Sequence, residues 1–194
     1  MMKYLLTIAL IILAGCADKQ AETKTPMPVN EKCEVGQPII IITGQSNSLG
    51  YTLGIATNQS ARAYTGIDHC VKQNGISGTR IDEWIANYYD DVLLPFVGDP
   101  VAAVVWIQGE ADFRQAALVA TYQDKLDTVL SWMYQDFSQA KIIVVETCPY
   151  GNRSIADQQD PDILTCHLNR ADGVHYSPES QAIIGNLIGK EVSQ

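Results

Sequence analysis

The chain has 194 residues and a formal net charge of −9, with 22 acidic side chains against 13 basic ones. Such a surface repels nucleic-acid phosphates, and the sequence has no basic cluster interleaved with aromatic residues, so we expect no nucleic-acid partner. Residues 33–194 have the length of one ordinary domain and contain no internal repeat.

The amino-terminal segment is similar to a bacterial lipoprotein signal. Lys3 precedes an apolar run at residues 5–13, which is too short to span a bilayer because a spanning helix needs about 20 residues. The run ends in Leu-Ala-Gly-Cys at residues 13–16, which resembles a lipobox. The resemblance implies cleavage after residue 15 and lipidation of Cys16. The alternatives are an ordinary secretory signal and an uncleaved anchor.

Residues 16–32 are polar, contain proline and lack a hydrophobic period, which is typical of a flexible tether. We therefore divide the chain into a signal peptide (1–15), a lipidated cysteine with its tether (16–32) and one globular domain (33–194). We expect a monomer in the cell envelope, held at a membrane by its lipid anchor. If the source has two membranes, we expect the outer one.

Four further cysteines fit an oxidising compartment, and their even number permits two disulfides in three possible pairings. Cys33 and Cys70 each precede a candidate strand, whereas Cys148 ends a later strand and Cys166 lies just before the last motif. On this order we predict the pairs Cys33–Cys70 and Cys148–Cys166. A zinc site is the competing interpretation, but the cysteines and histidines lack the spacing of zinc ligands, so we expect no metal.

Three apolar runs predict strands buried on both faces of a parallel sheet, at residues 39–42, 101–107 and 141–147. A helical pattern separates the last two of these runs, which implies a right-handed crossover and parallel pairing. A weaker strand is predicted at residues 69–73 and an edge strand at residues 163–168.

Helix signals are uneven along the chain. Asp112 and Gln115 have the spacing of a capping box before the crossover helix, and Ser177 followed by proline begins a terminal helix. The predicted buried stripe of the terminal helix comprises Ile183, Ile184, Leu187 and Ile188. A short helix is predicted at residues 84–96, whereas residues 48–67 are rich in Gly, Thr, Ser and Asn and are predicted to be mostly irregular.

Polar residues suited to acyl transfer follow the candidate strands. A serine nucleophile needs a base, the base needs an acid that fixes its tautomer, and the oxyanion needs donors. We assign Ser46 as nucleophile, His175 as base and Asp172 as the acid that orients it. The N–H groups of Ser46 and Gly78 and the side-chain amide of Gln108 form the candidate oxyanion hole. The alternative is that the serine turn only caps a helix.

The motifs around these residues resemble those of the SGNH hydrolases. They are Gly-Gln-Ser-Asn at residues 44–47, a turn at Gly78, Trp-Ile-Gln-Gly-Glu at residues 106–110 and Asp-Gly-Val-His at residues 172–175. They are most similar to the sialate O-acetylesterase branch. The resemblance implies a flavodoxin-like, three-layer α/β/α sandwich with a parallel sheet of about five strands. It also implies a serine esterase without metal or other cofactor.

Four more motif residues are assigned supporting roles: Gln45, Asn47, Gly109 and Glu110. We expect Glu110 to lie beneath the Gln108 loop and to pair with Arg80 or Arg62. The alternative is that Glu110 is a second acid that orients His175. Ser48 stands where the family often has an apolar residue, which alters the packing behind the nucleophile.

By this resemblance, the substrates are acetylated carbohydrates, either sialate or an acetylated polysaccharide or oligosaccharide. We therefore predict a carbohydrate O-acetylesterase. The alternatives are a non-catalytic glycan-binding lipoprotein on the same fold and an SGNH enzyme with lipase-like or thioesterase-like specificity.

Overall fold

The computed structural model describes residues 32–114, 116–147 and 161–194. Within these ranges the chain forms a parallel four-stranded sheet in the order β2-β1-β3-β4. The strands are β1 (Ile39–Gly44), β2 (Cys70–Gln73), β3 (Val101–Ile107) and β4 (Lys141–Val144). Of the predicted edge strand at residues 163–168, one parallel bridge between Val145 and Ile163 is present.

Helices lie on both faces of the sheet, which confirms the predicted α/β class. The three long helices are α1 (Tyr51–Thr65), α4 (Ala116–Asp136) and α5 (Pro178–Val192). The predicted helix at residues 84–96 is instead divided into short pieces. These are a π-helical turn (Trp84–Tyr88), α3 (Tyr89–Val92) and a 3-10 turn (Leu94–Phe96), and α2 (Ile81–Glu83) precedes them.

Alternate residues of β1 separate the interior into two cores. Ile39 and Ile41 face the layer that contains α4 and the buried Trp84, while Ile40 and Ile42 face α1 and α5. This arrangement explains the unbroken apolar character of β1, because both faces of a central parallel strand are covered.

The prediction that residues 48–67 are mostly irregular is wrong, because they contain α1. The buried face of α1 is built from small and polar residues, among them Ala56, Thr57 and Ser60, so its apolar signal is weak. Small residues serve close packing here. A Cβ atom on Gly185 of α5 would lie 2.7 Å from the Ala56 Cβ, and one on Gly189 would lie 2.5 Å from the Ser60 Cβ.

Helix α5 begins as predicted, since the Ser177 Oγ accepts a hydrogen bond from the Ser180 N–H at 3.3 Å. Its predicted buried stripe is half correct. Ile184 and Ile188 are buried, whereas the side chains at 183 and 187 are exposed, because glycines occupy the neighbouring positions that contact α1.

The predicted disulfide between Cys33 and Cys70 is present. Cys70 begins β2 and pairs in register with Ile39 of β1, so the bond ties the amino edge of the sheet to the preceding segment. Cys148, and with it the second predicted pair, lies outside the described residues, as do Cys16 and the signal segment. No helix in the described ranges has both the length and the apolar character that crossing a membrane requires.

Candidate active site

The turn that carries Ser46 is set by a close approach of two strands. Gly44 ends β1 with φ +116°, and a Cβ atom there would lie 2.1 Å from the Ile107 carbonyl oxygen of β3. Only glycine tolerates both this conformation and this contact. The Gln45 N–H then donates to the Ile107 carbonyl at 2.8 Å, and a 3-10 helix, Ser46–Leu49, follows at the carboxyl edge of the sheet.

The structure brings the three predicted catalytic side chains together in one line. The His175 Nε2 lies 3.0 Å from the Ser46 Oγ, and the His175 Nδ1 lies 2.7 Å from the Asp172 Oδ2. An ionised carboxylate can only accept, so Nδ1 carries the proton and Nε2 presents its lone pair to the hydroxyl. This is the arrangement in which a histidine acts as the base for a serine.

Asp172 is exposed but strongly held in its ionised form. The hydrogen bond with the His175 ring, together with those from the His175 and Val174 N–H groups, keeps the pKa of Asp172 well below its usual range. The carboxylate therefore stays charged at every pH at which a histidine base is useful.

Asn47 joins the nucleophile turn to the histidine loop. Its amide donates to the Val174 carbonyl at 3.2 Å, and its Oδ1 accepts from the Tyr176 N–H at 3.1 Å. These two residues are the chain neighbours of His175 on either side. The position of the histidine is thus fixed by one buried side chain that adjoins Ser46 in sequence.

The same Asn47 amide also donates to Glu110, which is buried. Burial raises the pKa of Glu110, while the hydrogen bond with Asn47 and the charges of Arg170 and His175 oppose that rise. The prediction that Glu110 pairs with Arg80 or Arg62 is wrong. Those two guanidinium groups pair instead with neighbouring carboxylates, Arg80 with Asp82 and Glu83, and Arg62 with Asp68.

Two of the three predicted oxyanion donors face the cleft. Ser46 and Gly78 both line it, and Gly78 has a φ of +74° that turns the chain sharply. Among the residues that the structure describes, neither the Ser46 N–H nor the Gly78 N–H donates to an acceptor. Both are therefore available to a developing oxyanion.

The third predicted donor, Gln108, is not placed for this role. It is fully buried, and its amide donates to the Asp112 Oδ2 at 2.5 Å and to the Thr79 carbonyl at 3.2 Å. Asp112 lies behind the Gly78 loop, and Gln115, the other residue of its predicted capping box, lies outside the described residues. The Asp112 carboxylate accepts from the Ile81 N–H at 3.1 Å, and burial raises its pKa to about 6. The side chains of Gln108 and Asp112 thus stabilise the Gly78 loop through their hydrogen bonds to Thr79 and Ile81.

The remaining supporting residues hold the loop after β3. The Gln45 Oε1 accepts from the N–H groups of Gly109 and Ala111, each at 3.3 Å. Gly109 has a φ of +141°, and a Cβ atom there would lie 2.7 Å from the Phe113 ring. Ser48, the departure from the family pattern, is buried and donates to the Gln45 carbonyl at 2.6 Å.

Ser46, Gly78 and His175 line an open cleft of about 390 Å³. Its wall also includes Arg114, which is not among the predicted site residues and lies in a 3-10 turn that follows the carboxyl-edge loop of β3. The guanidinium makes no hydrogen bond or ion pair with any described residue. No cluster of three or more His, Cys, Asp or Glu side chains suited to a metal occurs in the described part of the chain.

Comparison with known proteins places the chain in a family. A family model described as "Carbohydrate esterase, sialic acid-specific acetylesterase" matches residues 70–194, more than half of the chain. The chain belongs to this family of carbohydrate esterases. The matched residues include Gly78, Asp172 and His175, whereas Ser46 precedes them. None of the curated protein sequences that we compared matches the chain significantly.

Solved structures support the same fold. A protein from Arabidopsis thaliana has a TM-score of 0.67 and 15% identity, over 82% of this chain and 98% of the other. A lipase/acylhydrolase from Enterococcus faecalis has a TM-score of 0.58 and 16% identity, over 81% and 95% of the two chains. Axe2, an acetylxylan esterase from Geobacillus stearothermophilus, has a TM-score of 0.55 and 16% identity, over 84% and 97%. At these identities the likeness establishes the fold.

We predict that Asn47→Ala lowers kcat for 4-nitrophenyl acetate by about a hundredfold, because a displaced catalytic group costs roughly that much. The change removes both hydrogen bonds that flank His175 and the one to Glu110. Asn186→Ala, the same substitution on the exposed surface of α5, is the matched control and should retain wild-type kcat. A kcat of Asn47→Ala near that of the control would contradict the role of Asn47.

Proposed function

We propose that the protein is a serine esterase that removes O-acetyl groups from carbohydrates. The observation that carries this proposal is the line of contacts from the Ser46 Oγ through the His175 ring to Asp172, at 3.0 Å and 2.7 Å. The Ser46 and Gly78 N–H groups, neither of which donates to an acceptor among the described residues, belong to residues that line the same cleft. Nucleophile, base, orienting acid and oxyanion donors are the parts that acyl transfer needs.

In the first half of the proposed reaction, the His175 Nε2 takes the proton of the Ser46 hydroxyl as Oγ attacks the acetyl carbonyl carbon. The carbonyl oxygen becomes an oxyanion and accepts hydrogen bonds from the Ser46 and Gly78 N–H groups. The bond to the sugar oxygen then breaks, and the imidazolium returns its proton to that oxygen. The products are a free sugar hydroxyl and an acetylated Ser46.

In the second half, water attacks the acetyl group on Ser46 and gives a proton to His175. Collapse of the second tetrahedral intermediate releases acetate and restores the Ser46 hydroxyl with that proton. Asp172 remains ionised throughout and stabilises the imidazolium that forms in each half.

The choice of acetylated carbohydrate rests on the family and on one structural neighbour that is an acetylxylan esterase. Arg114 supports an acidic sugar such as sialate. In a chain with a net charge of −9, a guanidinium in the cleft wall that pairs with no carboxylate of the described residues is suited to a substrate carboxylate.

We also propose that the enzyme acts in the bacterial cell envelope, anchored through a lipid on Cys16. The lipobox at residues 13–16 and the polar tether that follows support this location. The Cys33–Cys70 disulfide fits it as well, because disulfides persist in oxidising compartments outside the cytoplasm.

The direct test is hydrolysis of 4-nitrophenyl acetate, butyrate and octanoate by the purified protein and its Ser46→Ala variant. We expect selectivity for acetate and a loss of kcat of at least about a thousandfold in the variant, since removing a serine nucleophile leaves little catalysis. Ser77→Ala changes another serine of the same cleft and should retain most of the activity.

The outcomes separate the alternatives. Activity that persists in Ser46→Ala would reject the nucleophile. A preference for octanoate would favour a lipase-like specificity. A folded protein without activity on any ester would favour a glycan-binding module.

The role of Arg114 predicts a change in specificity. We expect Arg114→Gln to lower kcat/KM for O-acetylated sialic acid, relative to that for 4-nitrophenyl acetate, by about tenfold or more, because a charge-assisted hydrogen bond is lost. Arg62→Gln, which removes an exposed guanidinium that pairs with Asp68, is the control. If the ratio of kcat/KM for O-acetylated sialic acid to kcat/KM for 4-nitrophenyl acetate were the same in wild type and Arg114→Gln, Arg114 would not bind the carboxylate.

A further inference from the structure

A second cavity of about 220 Å³ lies between α1 and the edge strand β2, apart from the catalytic cleft. Its lining residues are Tyr51, Gly54, Ile55, Asn58, Gln59, Val71 and Gln73, none of which lines the cleft. Binding sites for drug-sized molecules usually have volumes of about 300 to 1000 Å³, so this cavity suits a smaller unit.

Among the described residues, those that line the cavity include no charged side chain, although the chain as a whole has 22 acidic and 13 basic residues. Residues 51–60 of α1 contain no charged residue at all. A wall without charge offers no favourable partner to an ion, so the cavity selects for an uncharged ligand.

Apolar and amide groups share this wall. Tyr51 and Ile55 are one turn apart on α1 and expose 42% and 40% of their surface. Beyond them, the Asn58 Oδ1 is buried and accepts no hydrogen bond from any described residue. An aromatic face beside amides is the pairing that binds a sugar ring, with its C–H surface on the aromatic group and its hydroxyls on the amides.

The cavity also adjoins the turn of the nucleophile. Gln73 lines the cavity. The Gln73 side-chain amide donates to the carbonyls of Ser48 at 2.8 Å and of Gly50 at 2.9 Å. Tyr51 begins α1 immediately after that segment. Because residues Ser46–Leu49 form a 3-10 helix and two residues more lead to Tyr51, the Cα atoms of Ser46 and Tyr51 are roughly 13 Å apart at most. A short oligosaccharide spans such a distance.

We propose that this cavity is an accessory binding site for an uncharged sugar unit. Tyr51 and Ile55 contact the face of the ring, and the Asn58 amide turns toward the cavity to accept a hydroxyl hydrogen bond. That the sugar belongs to the same glycan chain as the acetylated unit in the cleft rests on the proposed function. Under that condition, the substrate is an oligosaccharide or polysaccharide rather than a free monosaccharide.

The test is an NMR titration of the purified, ¹⁵N-labelled protein with ester-free tetrasaccharides. The neutral probes are cellotetraose, xylotetraose and chitotetraose, and tetragalacturonic acid is the acidic probe. We expect at least one neutral probe to shift the backbone amides of Tyr51, Gly54 and Asn58. Tyr51→Ala and Asn58→Ala should each weaken that binding by about tenfold, which corresponds to about 1.4 kcal/mol. Tyr134→Ala, on the exposed surface of α4, is the matched control.

The proposal is overturned if no neutral probe shifts these amides, or if Tyr51→Ala and Asn58→Ala bind as tightly as the control. If tetragalacturonic acid bound more tightly than the neutral probes at the same amides, the inference that the cavity binds an uncharged sugar would be overturned. Because the probes carry no ester, binding without esterase activity would reject the proposed function while leaving this site in place.

Discussion

The active site depends on the hydrogen bonds of Asn47. Ser46 and His175 are 129 positions apart in sequence, and Asn47 holds the backbone on both sides of the histidine. The same amide donates to Glu110 in the loop after β3, so three loops meet at one side chain. These loops lie at one edge because parallel strands place their carboxyl ends together. The sheet brings the loops close together, and the hydrogen bonds of Asn47 fix the position of His175 relative to Ser46.

Much of the fold and of the site is predictable from the sequence. The buried strands β1, β3 and β4 are continuous apolar runs, and α5 begins at a serine cap followed by proline. The contact between Asp172 and His175 is local, since the two residues are three apart. The place of Ser46 follows from its position directly after a central strand. For these features, local pattern and tertiary structure agree.

The errors share a cause, because they concern groups whose role is set by distant partners. Helix α1 has a weak apolar signal because its buried small residues fit the glycines of α5, 120 or more positions away. Asp112 has the local spacing of a helix cap, but its carboxylate accepts hydrogen bonds from the Ile81 N–H and from the Gln108 side-chain amide. That amide is therefore not directed at the cleft. Both outcomes depend on tertiary contacts that no local pattern records.

The proposed reaction depends on Ser46 as the nucleophile. The most direct measurement is covalent labelling with a fluorophosphonate, followed by peptide mass spectrometry to locate the adduct. We predict a single adduct on Ser46, with a labelling rate that falls steeply in His175→Ala because the base is lost. An adduct on Ser48 or Ser77 instead, or an active esterase that carries no adduct on Ser46, would contradict the account.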